Sequence, residues 1–140
     1  FISTAAVLDY GPEQRYYEKL PSGLKDLVIK LRPLPKVVNA ARDADPNVFI
    51  VGFKAEYDVS DETLIERAYE KLINSGMDLI VANDLSREGR GFASDTNEVF
   101  IIDRDKNVIH VPLTSKRDVA RKILDTVVKK LQERGVISES

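Results

Sequence analysis

Residues 48–56, Val-Phe-Ile-Val-Gly-Phe-Lys-Ala-Glu, and residues 78–84, Asp-Leu-Ile-Val-Ala-Asn-Asp, are two apolar runs that turn polar at their ends. Continuous apolar stretches of strand length, over 48–53 and 78–82, read as central parallel strands buried on both faces. Between them Leu64, Ile65, Ala68 and Leu72 keep the spacing of one helix face. Asp58 or Ser60 can cap that helix and Gly76 can end it. A strand, a helix and a second strand in this order make a parallel pair with a helical crossover.

Upstream, residues 1–7 are apolar and β-branched enough for another buried strand, ending at Asp9 and Tyr10. Residues 11–24 read as a loop carrying Pro12, Pro21 and Gly23, and residues 27–31 as a short strand. Pro35 suits the opening of a helix that runs to about Arg42. Downstream, residues 84–97 form a polar loop with glycines. Residues 98–102 and 107–111 then make a hairpin. A last helix starts at Ser115, capped by the Ser115/Asp118 pair. Its expected buried face is Val119, Ile123, Leu124, Val127, Val128 and Leu131, and Gly135 ends it. The expected fold is α/β, a mostly parallel sheet flanked by helices with a C-terminal β-hairpin.

Composition narrows the chemistry. The 140 residues contain no cysteine and a single histidine. Disulfides, zinc–thiolate sites, cysteine nucleophiles and multi-histidine metal clusters are therefore excluded. A net charge of -2 leaves no global basic footprint for nucleic acid. The apolar runs fall far short of a membrane span, and no secretory leader pattern opens the chain. A cytoplasmic protein is expected. The chain begins at Phe1, inside an apolar run, and its only methionine is Met77. The expectation is a fragment whose N-terminal strands lie upstream.

Ligands of open parallel sheets bind outside the carboxyl ends of the strands. Those ends carry Asp9 and Tyr10, then Phe53, Lys54 and Glu56, then Asn83 and Asp84, with loop 84–97 bordering the same crevice. Asp9 could hold a hydroxyl or amino group, or cap its own turn. Lys19 could swing onto a phosphate, or be one solvated lysine among many. Lys36 near a helix start opposes the dipole unless an anion binds there. Phe53 could stack on a base or belong to the core. Lys71 alone reads as surface. Asn83 and Asp84 could fix backbone or ligand. His110 sits in the hairpin, away from the crevice, and reads as structural. Gly89 and Gly91 complete neither a dinucleotide fingerprint nor a P-loop.

The runs AAVLDY, EKL, KLRPLPKVV, VGFKAE, DLIVAND and GFASDTNEV, in this order, resemble the phosphopantothenate–cysteine ligase family, over about residues 2–131. The likeness is to the ligase half of archaeal bifunctional coenzyme A biosynthesis flavoproteins. The resemblance implies a Rossmann-like fold and a homodimer. It implies use of CTP with magnesium to activate 4′-phosphopantothenate as an acyl-cytidylate, which the amino group of cysteine then attacks. It also implies an FMN-dependent decarboxylase upstream.

By the same resemblance Ser3, Thr4 and Ala5 form a nucleotide-touching segment. Asp9 is the acidic nucleotide contact, and Lys19 is the lysine of a mobile loop and the catalytic candidate. Pro35, Lys36, Val37 and Val38 are a nucleotide-contacting helix start, with Lys36 where bacterial members commonly carry Asp. Phe53 lines the nucleotide and Lys71 meets its triphosphate. Ser75 stands where a second basic residue is expected. Asn83 and Asp84 support the pocket, and the metal ligands are not assigned. The family's glycine-rich segment, with an asparagine that handles the acyl intermediate, is absent from these 140 residues, so the chain alone is expected to be inactive. The rival reading is a catalytically silent Rossmann-like nucleotide-binding or dimerisation module. A redox Rossmann domain is disfavoured by the missing fingerprint.

Overall fold

A computed structural model describes residues 1–15, 17–89 and 94–138. A short ribbon pairs β1 (Tyr10–Pro12) with β2 (Leu31–Pro33). There follow α1 (Val37–Ala44), β3 (Val51–Glu56), α2 (Asp61–Asn74), β4 (Leu79–Asp84), β5 (Thr96–Asp103), β6 (Val108–Ser115) and α3 (Lys116–Glu133). The main sheet has the order β3-β4-β5-β6.

That sheet is mixed, which corrects the mostly parallel expectation. Only β3 and β4 run parallel, while β4/β5 and β5/β6 are antiparallel. The reason is connectivity. A helix crosses over from β3 to β4, whereas among the described residues no helix stands between β4 and β5, and β5 returns antiparallel. The expected strand over 1–7 contracts to one parallel bridge, Ile2 with Val51. The expected strand over 27–31 is displaced to Leu31–Pro33.

The sheet carries two cores. On one face Ile50, Met77, Ile80, Ala82, Phe100 and Ile102 meet Leu64, Ala68 and Leu72 of α2, with Val38 and Ala41 of α1 at the margin. On the other face Phe49, Val51, Leu79, Val81, Val99, Ile101 and Val111 meet Val119 and Ile123 of α3. Ser60 caps α2 by accepting from the Thr63 N–H at 3.2 Å, so Ser60 and not Asp58 is the cap. The inner face of α3 holds Val119, Ile123 and Thr126, whereas Leu124 and Val128 are exposed. Thr126 tolerates burial because its hydroxyl donates to the Lys122 carbonyl at 2.7 Å. His110 stacks on Phe100 and lies 2.7 Å from a Glu98 carboxylate oxygen, a packing role as read from the sequence.

No residue of α1 is fully buried. The helix is tied down by Arg42, which donates to the carbonyls of Pro46, Val48 and Gly76 and to Asp78 Oδ2 at 2.9 Å. Asp78 also accepts from the Ile50 N–H at 2.8 Å and from Arg134 at 2.7 Å. Replacing Asp78 with Ala strands two guanidinium groups and a buried N–H. Asp78→Ala should cost about 3 kcal/mol or more, and Arg42→Met less, because Arg134 still pairs with Asp78. Urea unfolding midpoints check both, and a loss below about 1 kcal/mol for Asp78→Ala would reject the anchor.

Candidate functional site

β3 is an edge of the sheet, and its even-numbered residues bond β4, so its odd-numbered backbone groups face outward. Phe1–Ser3 cover that edge only briefly, with the Val51 N–H donating to Phe1 O and the Ser3 N–H to Val51 O. Beyond Ser3 the chain leaves β3. A cleft of about 540 Å³ lies between segment 3–9, the start of α1, the end of α2 and the ends of β3 and β4.

Ser3, Thr4, Ala5, Asp9, Pro35, Lys36, Val37, Val38, Phe53, Lys71, Ser75 and Asn83 all line this cleft. Their separation in sequence makes that convergence informative. Lys19 does not line it. It is exposed in the coil between β1 and β2. Asp84 lies beneath the rim, 1% exposed. Gly52, Met77, Leu85, Asn97 and Lys116 also line the cleft and were not singled out from sequence. Asn97 stands inside the TNEV run, where its residue type was the available signal. Leu85 and Asn97 bear out the expectation that loop 84–97 borders the crevice. Gly91 and the rest of residues 90–93 lie outside the described residues.

Charge in the cleft is predominantly positive. Lys36, Lys71 and Lys116 line it, and Asp9 is the carboxylate among the described lining residues. Lys71 Nζ lies 3.3 Å from the Phe53 carbonyl. Burial pushes its pKa down, the charges of Lys54 and Lys36 push it further, and Asp9 opposes them. Lys36 occupies the N-cap of α1, makes no side-chain capping bond, and no acid stands in the first turn. An uncapped helix start carrying a cation is suited to an anion. The end of α2 presents carbonyls instead, so there Lys71 supplies the positive charge.

Gly52 lets the cleft floor pack tightly, since a Cβ there would overlap Met77 Sδ. Asp84 supports the rim from inside. Its carboxylate accepts from the N–H groups of Asp58 (3.1 Å), Val59 (3.1 Å) and Ser86 (2.8 Å). Those bonds hold Asp58 at a φ of 55° and fix the entry to α2. Among the described residues no group of three or more His, Asp or Glu is arranged to hold a metal ion. Among the described residues no helix is long and apolar enough to cross a membrane.

Residues 1–131 match the family model described as the DNA/pantothenate metabolism flavoprotein C-terminal domain. The Coenzyme A biosynthesis bifunctional protein CoaBC of Thermococcus kodakarensis is 37% identical over 130 residues, covering 93% of this chain and 31% of that protein. The protein of that name from Methanocaldococcus jannaschii is 36% identical, with 91% and 30% covered. The chain thus spans about a third of the length of these relatives. The crystal structure of the C-terminal domain of a CoaBC protein superposes with a TM-score of 0.67 at 31% identity, covering 94% of this chain and 56% of that one. The Streptococcus pneumoniae DNA/pantothenate metabolism flavoprotein shares the fold, with a TM-score of 0.73 at 23% identity, over 92% and 62%.

Asp84 generates a pH prediction. Burial alone would raise its pKa, but bonds from the Ser86 backbone and hydroxyl and from the Val59 and Asp58 N–H groups outweigh it and lower it to about 2. A depressed carboxylate stabilises the fold above its ordinary pKa of 3.8 and loses that contribution as pH falls from 3.8 towards 2. Asp84→Asn turns one acceptor into a donor facing N–H groups and should cost about 1–3 kcal/mol at pH 7. The variant should also show a shallower stability loss between pH 4 and 2, followed by thermal unfolding. Parallel acid profiles for the two proteins would refute this.

Proposed function

Because the chain belongs to the DNA/pantothenate metabolism flavoprotein C-terminal domain family and is homologous to the phosphopantothenate–cysteine ligase part of the bifunctional coenzyme A biosynthesis proteins, we propose that its cleft binds CTP for joining 4′-phosphopantothenate to cysteine in the cytoplasm. The observation that carries this reading is the meeting of segment 3–9, the α1 start, Phe53, Lys71 and Asn83 in one cleft whose charged lining residues are Lys36, Lys71, Lys116 and Asp9. Residues 1–140 are read as the C-terminal part of the ligase domain. FMN belongs, on this reading, to a separate decarboxylase domain.

The chemistry balances in two steps. A carboxylate oxygen of 4′-phosphopantothenate attacks the α-phosphorus of CTP, and pyrophosphate leaves. The cysteine amine then attacks the acyl carbon, CMP leaves, and the amine gives up a proton. The chain's work is to position and to stabilise charge. Lys36 and Lys71 hold phosphate oxygens. The first-turn N–H groups of α1 share the load. Phe53 and Ala55 floor the cleft beneath the nucleoside. Asp9, with the phosphate oxygens, is the group that would hold magnesium, a hard cation that needs few protein ligands. When bound, magnesium neutralises part of the triphosphate charge. Lys19 acts by closing from its exposed coil over the bound triphosphate, and Ser75 offers a hydroxyl where a second cation is expected by resemblance.

A second reading has a specific observation behind it. Leu24, Leu27, Val28, Ile29 and Leu31 are all exposed around the β1/β2 ribbon, an apolar surface suited to a homodimer or a catalytically silent dimerisation module. Sedimentation of the chain tests self-association.

Three measurements test the first reading. Titration calorimetry should show CTP binding that takes up protons at alkaline pH. The lowered pKa of Lys71 rises when an anion arrives, so affinity should fall as pH rises through it. No heat with CTP but clear binding of a dinucleotide would overturn the reading. In the full-length protein, Lys19→Ala should lower turnover by about two orders of magnitude with little change in thermal midpoint. Unchanged pyrophosphate release would reject its role. Incubated alone with CTP, magnesium, phosphopantothenate and cysteine, the 140 residues should form no phosphopantothenoylcysteine by mass spectrometry. Product formed at the full protein's rate would overturn that expectation.

A further inference from the structure

Asn83, at the end of β4, and Asn97, at the start of β5, share the cleft rim beside Ala55 and Leu85. Ala55 is in register with Asn83, and Phe53 lies two residues back on the same strand face. Asn97 Oδ1 accepts from the Glu98 N–H at 3.0 Å. That backbone donor settles which way the Asn97 amide turns, since its nitrogen cannot accept. Asn83 Nδ2 donates to the same Oδ1 at 3.5 Å, which in turn sets the Asn83 amide. Two polar atoms remain: Asn83 Oδ1, an acceptor, and Asn97 Nδ2, a donor. Among the described residues neither has another partner.

An acceptor beside a donor complements a ligand edge with a donor beside an acceptor. Cytosine and adenine carry such an edge, an exocyclic amino group next to an unprotonated ring nitrogen. Uracil and guanine carry the reverse, a keto oxygen next to a ring N–H. Lys36 and Lys71 with Asp9 occupy the α1/α2 end of the cleft, which suits the phosphates. The asparagine pair lies past Phe53 and Ala55, where a base would extend. Lys116, the first residue of α3, also lines the cleft and has an interaction of its own.

We infer that Asn83 and Asn97 form a base-reading pair, in which Asn83 Oδ1 accepts from a ring amino group and Asn97 Nδ2 donates to the adjacent ring nitrogen, so that amino bases are selected over keto bases. This rests on the nucleotide reading above and deepens it. Asn97 has a double part: it donates to the base, and it orients Asn83, which otherwise could rotate its amide to suit either edge.

The test compares CTP, ATP, UTP, GTP and inorganic tripolyphosphate by calorimetry on the wild-type chain and two variants. The wild type should bind CTP and ATP at least about tenfold more tightly than UTP and GTP. Asn97→Ala should bring the CTP-to-UTP ratio towards one while tripolyphosphate binding stays within about twofold. Asn97→Asp keeps the acceptor for Glu98 and Asn83, so the thermal midpoint should be retained while CTP binding weakens through loss of the donor. Equal binding of all four nucleotides, or an Asn97→Ala variant with undiminished discrimination, overturns the base-reading pair but leaves the triphosphate site standing. Failure of the wild type to bind any nucleotide or tripolyphosphate overturns both.

Discussion

One buried carboxylate holds the parts of this fold that make the cleft. Asp78 sits at the turn into β4, 6% exposed, and binds Arg42 from α1, Arg134 from the end of α3 and the Ile50 backbone from the segment entering β3. Burying a carboxylate is costly, and two guanidinium groups together with a backbone donor offset the cost. α1 depends on it most. The helix has eight residues and buries none of them fully, so apolar packing through Val38 and Ala41 is a modest anchor. Arg42 fastens its far end, and that leaves its near end, Lys36 to Val38, as a fixed wall of the cleft.

The cleft itself works against stability. Lys36 and Lys71 repel one another, Lys54 adds to the repulsion, and Lys71 is partly desolvated besides. Asp9 is the carboxylate that answers them among the described lining residues, while Lys54 is engaged by Glu56 at 3.0 Å. Like charges that lower the basicity of Lys71 are poorly arranged for the empty protein and well arranged for a polyanion, which favours the charged form of Lys71. Beneath the same rim Asp84 does the opposite. It satisfies three backbone donors from inside, and it converts the turn after β3 into a rigid support.

Much of this was legible in sequence, for identifiable reasons. The parallel pair and its crossover helix were legible because β3 and β4 are continuous apolar runs and α2 keeps a clean helical spacing with a serine cap. Most of the cleft residues were legible because strand ends in an α/β unit point to one edge, and because the motifs around them resemble a known family. The misread parts share a cause. Residues 1–7 look like a strand because they are apolar, yet strand pairing needs a partner, and beyond Ser3 none stands opposite among the described residues. Residues 27–31 are apolar for the same misleading reason, and their side chains face solvent. Leu124 and Val128 fit a helical stripe, but α3 meets the sheet along a narrower line than the stripe allows. In each case an apolar residue was assigned to the core by composition, while contact is decided by what lies opposite.

The mixed sheet explains why Asn97 escaped a search confined to carboxyl ends. In a fully parallel sheet every strand delivers its C-terminal residues to the ligand edge. When β5 turns antiparallel to β4, its amino end arrives at that edge instead, and Asn97 comes to lie beside Asn83. The rim is therefore built from strand ends of both kinds. A ligand edge in a mixed α/β sheet is better sought as the rim where the crossover strands end and their antiparallel neighbours start. By that criterion the polar start of β5, Thr-Asn-Glu, marks the site as clearly as the polar end of β4, Asn-Asp.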